Sequence, residues 1–221
     1  MNLEKKFQII KEKGEKRLII ERVAKVCFSA STGRVFPKAQ SKNEKSANDM
    51  IKEVLITIDV DNLLSIETEE AFKEWFKKNL DLVTDIIPTK NSHGENLSDG
   101  TRRWGYAAKI LCLYLRDIVE HCRYFNPEQA QKARQWLYCP IDKKVMDKMR
   151  QCGENLSFKK IKEIDTEDLF YDVQKRLGEA ADKVGVPRIW FDYVWSDPEG
   201  TKVLSRRNRS TKQSPPPAAG Q

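Results

Sequence analysis

An all-α fold of about eight helices is what this sequence predicts. Apolar residues recur at helical spacing along its longer segments. Clusters of Gly, Pro, Asn and Ser punctuate those segments where helices would stop. No stretch alternates polar and apolar residues well enough to build a sheet, and no internal repeat is visible.

Residues 3–28 read as the first helix, with Phe7, Ile10, Leu18, Ile19, Val23 and Val26 on one stripe and Gly14 weakening its middle. A polar loop over 30–47 follows, with Val35 and Phe36 as a possible anchor. Residues 50–58 read as a second helix whose end, T-I-D-V, is ambiguous with a short strand. Residues 67–82 read as a third, with Phe72, Trp75, Phe76 and Leu80 on one face. Breakers fill 88–100, and a long helix is expected over 99–124. Asn126-Pro127-Glu128-Gln129 is a helix start, since Asn can cap, Pro fits the first position and Gln can close a capping box. Pro140 reads as the start of the next helix, ending at Gly153. Residues 166–183 form another amphipathic helix, closed by Gly185. Pro187 opens the last, R-I-W-F-D-Y-V-W. Residues 201–221 are too polar and proline-rich for a packed structure. The helices make one domain or two tightly apposed lobes, taken as 1–97 and 98–200 packed as one compact unit where the resemblance given below begins, followed by a basic tail.

Hydrophobic residues make up 39% of the 221, enough for a core without staples. Five cysteines are scattered without a C-x-x-C pair, which points to reduced core thiols and a cytoplasmic setting. Two distant histidines make no recognisable zinc site. Asp59/Asp61 and Glu67/Glu69/Glu70 read as a turn and a helix start, so no metal or other cofactor is assigned. The N-terminus shows no signal-peptide core and no apolar run approaches the length of a membrane span. A soluble, monomeric protein is expected.

The net charge of +7 is uneven. Counting Lys and Arg against Asp and Glu, residues 101–160 carry +7 and residues 201–221 carry +5, whereas 50–100 carry −6. A basic segment of this kind fits an anionic partner, nucleic acid above all, and equally fits solvated helix faces.

The basic segment contains W-G-Y-A-A-K-I-L-C-L-Y-L, one lysine in a mostly apolar helix. Arg102, Lys109, Arg116 and Arg123 are spaced by seven, close to two turns, so one continuous helix would align them. That row is a solvent face, a line of phosphate contacts with Arg103, or the setting of a catalytic amine. Small and apolar neighbours of Lys109 would desolvate it, lower its pKa and free the amine to attack a carbon electrophile. In C-P-I-D-K-K-V, Asp142 falls in the first turn of a helix, where backbone N–H groups favour a carboxylate. It is an ordinary helix start, or a charge placed to stabilise a developing cation. Trp104, Tyr106, Trp136, Tyr138, Trp190, Phe191, Tyr193 and Trp195 crowd the same segments; most must be core, while a few could line a slot for an extruded base.

Together these segments resemble the helix-hairpin-helix DNA glycosylase superfamily, nearest its archaeal 8-oxoguanine branch, and related small bacterial glycosylases directed against modified phage DNA. W-G-Y-A-A-K-I looks like the helix bearing the Schiff-base lysine, which matches Lys109. C-P-I-D-K-K-V looks like the apolar-Pro-apolar-Asp motif, matching Asp142. V-G-V-P-R-I-W-F-D-Y-V-W looks like the closing helix whose acid and tryptophan, here Asp192 and Trp195, hold the base. The likeness covers residues 98–197. It lacks the L-P-G-V-G hairpin, which residues 98–103 would have to replace, and it lacks a four-cysteine cluster. Trp195 also stands one residue early relative to Asp192.

The resemblance implies two tightly packed helical lobes with a cleft. It also implies an enzyme that flips a modified base from DNA and excises it, with strand cleavage by lyase chemistry as a further capacity, in repair or antiviral defence. Lys109 and Asp142 would be catalytic. Trp104, Tyr106, Trp136, Pro140, Trp190, Asp192 and Trp195 would form the base pocket. Arg102, Arg103, Arg116, Arg123, Lys143 and Lys144 would bind DNA. The alternative is a helical module that binds nucleic acid or protein without catalysis, in which the arginines matter and Asp142 does not.

Overall fold

The structure, a computed structural model, describes residues 14–29, 32–39, 44–98 and 103–196, with backbone only for 194–196. The described residues form eight α-helices: α1 Glu15–Val26, α2 Ala47–Thr57, α3 Glu69–Thr84, α4 Trp104–Arg116, α5 Pro127–Arg134, α6 Lys143–Gln151, α7 Glu167–Val184 and α8 Trp190–Ser196. Among them there is no strand, only an isolated antiparallel bridge between Lys90 and Asn96. The fold is all-α. No described helix is long and apolar enough to cross a membrane.

Side-chain caps set most of the helix starts. Ser46, Thr68 and Thr166 each accept from a backbone N–H three residues on. Asn126 and Gln129 close the expected capping box, with Pro127 at the first position. Gly185 ends α7 at φ 68°, in the left-handed region that glycine occupies without strain.

Several boundaries differ from expectation, among them the start of α8 at Trp190 rather than Pro187. α6 starts at Lys143, not Pro140, and Asp142 is its N-cap rather than a first-turn residue. The T-I-D-V stretch ends α2 and enters a 3₁₀ turn, Val60–Leu64, not a strand. The long helix expected over 99–124 is regular only for α4. It continues as one π-helical turn, Asp117–His121, and Arg123 then takes φ 52° outside any helix. The seven-residue row therefore breaks before Arg123. The expected helix over 3–13, Arg102, most of the 98–103 turn and the tail lie outside the described residues.

One buried cluster runs from Ile20 to Ile189 and draws on both halves of the chain. α4 is its axis: ten of its residues are buried, and it packs on α3, α7 and the 3₁₀ turn Ile161–Glu163. Trp104, Phe72, Phe76, Tyr138 and Phe170 form an aromatic centre in which Phe76 and Phe170 stack with centroids 5.7 Å apart. α6 packs against α8, which brings the helices bearing Asp142 and Asp192 together beside α4.

Candidate active site

Two side chains in the first three turns of α4 escape full burial, Tyr106 and Lys109. Three residues apart, they lie on one helix face. Both line a recess of about 910 Å³. Lys109 retains 15% exposure, and its Nζ lies 3.9 Å from Asp142 Oδ2. That gap exceeds a hydrogen bond, so the amine faces the carboxylate without being locked to it.

Asp142 is fixed from both sides. Its Oδ1 accepts from Val145 N at 3.0 Å, capping α6, which leaves Oδ2 toward Lys109. Upstream, the buried Gln174 of α7 clasps the backbone of Cys139: it accepts from Cys139 N at 2.9 Å and donates to Cys139 O at 2.7 Å. Pro140 and Ile141 are buried, so the chain reaches Asp142 extended and anchored. The extended approach leaves backbone groups that no helix satisfies, and Gln174 supplies the partners.

Burial lowers the pKa of Lys109. Asp142 and then Asp192 oppose the shift, and Arg116 adds to it. Arg116 and Asp192 form an ion pair behind the amine, and Arg116 also donates to Asp117 at 2.7 Å. Burial raises the Asp192 carboxyl against the pull of Arg116. Asp192 is thus committed to Arg116 and does not line the recess.

The remaining walls come from four places. Thr32 and Val35 contribute from the N-terminal half, and so do Asn91, Glu95, Asn96 and Leu97 from a turn closed by Asn91 N–H donating to Glu95 O. Met146, Asp147 and Arg150 project from α6, and residues 159–162 close the rim. Sequence reasoning placed the site within 98–200 and, beyond Tyr106, Lys109, Asp142 and Lys143, named none of these lining residues; the K-K-I-K run at 159–162 was a visible charge signal. Tyr106 contacts Phe36 edge-on, 6.2 Å between centroids.

Other candidates fall elsewhere. Trp104 is in the aromatic core, not at the recess. Trp136 and Trp190 line a separate recess of about 950 Å³ that shares no lining residue with the first. Pro140 is packed away from it. Arg103 donates to Ile87 O and Thr84 O, bracing α3. Arg116 is held by the two aspartates, so it is not offered to a ligand. Arg123 and Lys144 are exposed and line neither recess; Lys143 is exposed, does line the Lys109 recess, and pairs there with Asp147. The Trp195 side chain lies outside the described residues. Among the described residues no group of three His, Cys, Asp or Glu could hold a metal ion.

Comparison with protein-family models, with curated proteins and with solved structures returned no significant match.

Proposed function

We propose that the protein is a DNA glycosylase that extrudes a modified nucleotide into the 910 Å³ recess and excises its base with Lys109 as nucleophile. The observation that carries this reading is the pairing of a desolvated lysine with a fixed carboxylate oxygen 3.9 Å away, inside a concave pocket. A surface lysine on a solvated helix face would have neither the burial nor the partner.

The chemistry follows from the two groups. The neutral amine of Lys109 donates its lone pair to C1′ of the extruded nucleotide. The glycosidic C–N bond breaks, and its electron pair leaves with the base, which takes up a proton. Positive charge builds on the sugar as that bond lengthens, and Asp142 Oδ2 faces it. The attacking nitrogen loses a proton, and the sugar ring opens to a Schiff base between Nζ and C1′. Loss of the 3′ phosphate by β-elimination then cleaves the strand, and water releases the lysine. Tyr106, Val35, Leu97 and Met146 supply the apolar walls a flipped base needs.

A panel of duplexes with oxidised or otherwise modified bases, scored separately for base release and for nicking, tests the reading. Release that precedes nicking supports it. Binding of DNA with no release from any of them favours the non-catalytic module.

A further inference from the structure

We propose that residues 159–162, K-K-I-K, form a strap that grips the phosphodiester backbone of nucleic acid at the mouth of the Lys109 recess. The nucleotide that enters the recess rests on the glycosylase reading above; the backbone grip does not.

The strap is built rigidly. Gly105 of α4 comes so close to it that a Cβ there would lie 2.1 Å from Ile161 O. The missing side chain lets Gly105 N donate to Ile164 O at 2.8 Å. Phe158 and Ile164 are buried at the two ends, and Arg150 donates to Phe158 O. Within the turn, Lys159 N donates to Glu163 Oε2 at 2.6 Å and Glu163 N to Lys160 O at 3.0 Å. The segment is therefore pinned one helical turn from Lys109, with Lys159 and Lys160 exposed and Lys162 half-buried near Tyr106.

Charge distinguishes the strap from the rest of the rim. Across the recess, Lys143 and Arg150 on α6 are both paired with Asp147. The strap brings Lys159, Lys160 and Lys162 to a lining whose carboxylates are Glu95, Asp142 and Asp147, the last two facing Lys109 and the α6 cations; Glu163 does not line the recess and accepts from the strap backbone. A cation row with Lys159 and Lys160 exposed, beside a partly apolar recess, suits a polymer that carries its charge on a backbone and projects uncharged planar groups sideways. Nucleic acid has that form. A lipid surface cannot enter a recess, and an acidic peptide would bring carboxylates toward Asp142.

The test is binding of the full chain to an unmodified duplex, read by fluorescence anisotropy from about 50 to 200 mM salt. Lys159, Lys160 and Lys162 are changed together to Gln. A charge-matched control changes Lys25, Lys132 and Lys183 to Gln, exposed residues that line neither recess. The strap variant should bind at least about tenfold more weakly. Its slope of log affinity against log salt should be shallower by about 0.9 for each phosphate that is no longer neutralised, up to about 3 in all. The control should match wild type. A strap variant with unchanged slope and affinity overturns the proposal and leaves the glycosylase reading standing, and so does a control that weakens equally. A wild-type protein that binds no DNA overturns both.

Discussion

Asp142 Oδ2 faces Lys109 Nζ at 3.9 Å while its other oxygen caps α6. One carboxylate thus serves a helix and a recess at once, and substitution can separate the two duties. Asn caps a helix about as well as Asp, whereas Ala costs about 1 kcal/mol. Asp142→Asn should keep the melting temperature of wild type and lower base release about 10²–10³-fold. Asp142→Ala should lose both. Thermal melts beside single-turnover release separate these; an Asn variant of full activity would reduce Asp142 to a cap.

The lowered pKa of Lys109 has a signed consequence for rate. The reactive form is the neutral amine, so Schiff-base formation should rise with pH, with a midpoint below the ordinary lysine value of 10.5. Asp142 raises that pKa, so Asp142→Asn should move the residual profile to lower pH. Arg116 lowers it, and Arg116→Met together with Asp192→Asn and Asp117→Asn, which removes the ion cluster without orphaning a charge, should leave an active profile whose midpoint shows the net of these charges. A wild-type midpoint at or above the ordinary lysine value would deny the desolvation.

Stability carries the same sign. With the folded pKa below the unfolded value, the unfolded chain binds more protons between the two, and stability rises with pH across that window. At pH 7, far below the ordinary lysine value, burying this amine is a cost. Lys109→Met should therefore melt no lower than wild type at pH 7. A drop of several degrees would make Lys109 a structural partner of Asp142 instead.

Gln174 satisfies both backbone groups of Cys139 inside the protein. Gln174→Leu strands a buried donor and a buried acceptor, each worth about 1–3 kcal/mol. Urea unfolding should show a loss of about 2–4 kcal/mol, and activity should fall because Asp142 is no longer held. A change under about 0.5 kcal/mol would show that water replaces Gln174.

Gly105→Ala should destabilise by about 1–3 kcal/mol, since its Cβ meets a backbone carbonyl rather than a yielding side chain. It should also weaken DNA binding by displacing residues 159–162. Unchanged stability would mean the strap can lift away.

Much of this was legible locally. Asn126-Pro127-Gln129 announces its capping box, and Gly185 its helix end, because caps depend on residues a few positions apart. Lys109 and Asp142 were candidates by type and setting, each with an ordinary structural explanation, and only the resemblance of three segments in order singled them out. What could not be read was long-range. Seven-residue spacing implied a cation row only if the helix ran unbroken, yet a π turn ends it and Arg116 is captured by Asp192, 76 residues away. Trp136 and Trp190 are near the site in sequence but open onto another recess. The walls from Thr32, Val35 and the 91–97 turn come from a half of the chain that carried no recognisable motif.

The most direct test of the central claim is covalent. Wild-type protein incubated with DNA carrying an excisable base, or with an abasic site, and reduced with borohydride should yield a DNA–protein adduct whose peptide map places the sugar on Lys109. Lys109→Gln should abolish it. An adduct on another residue, or one that persists at wild-type yield in Lys109→Gln, would contradict the account.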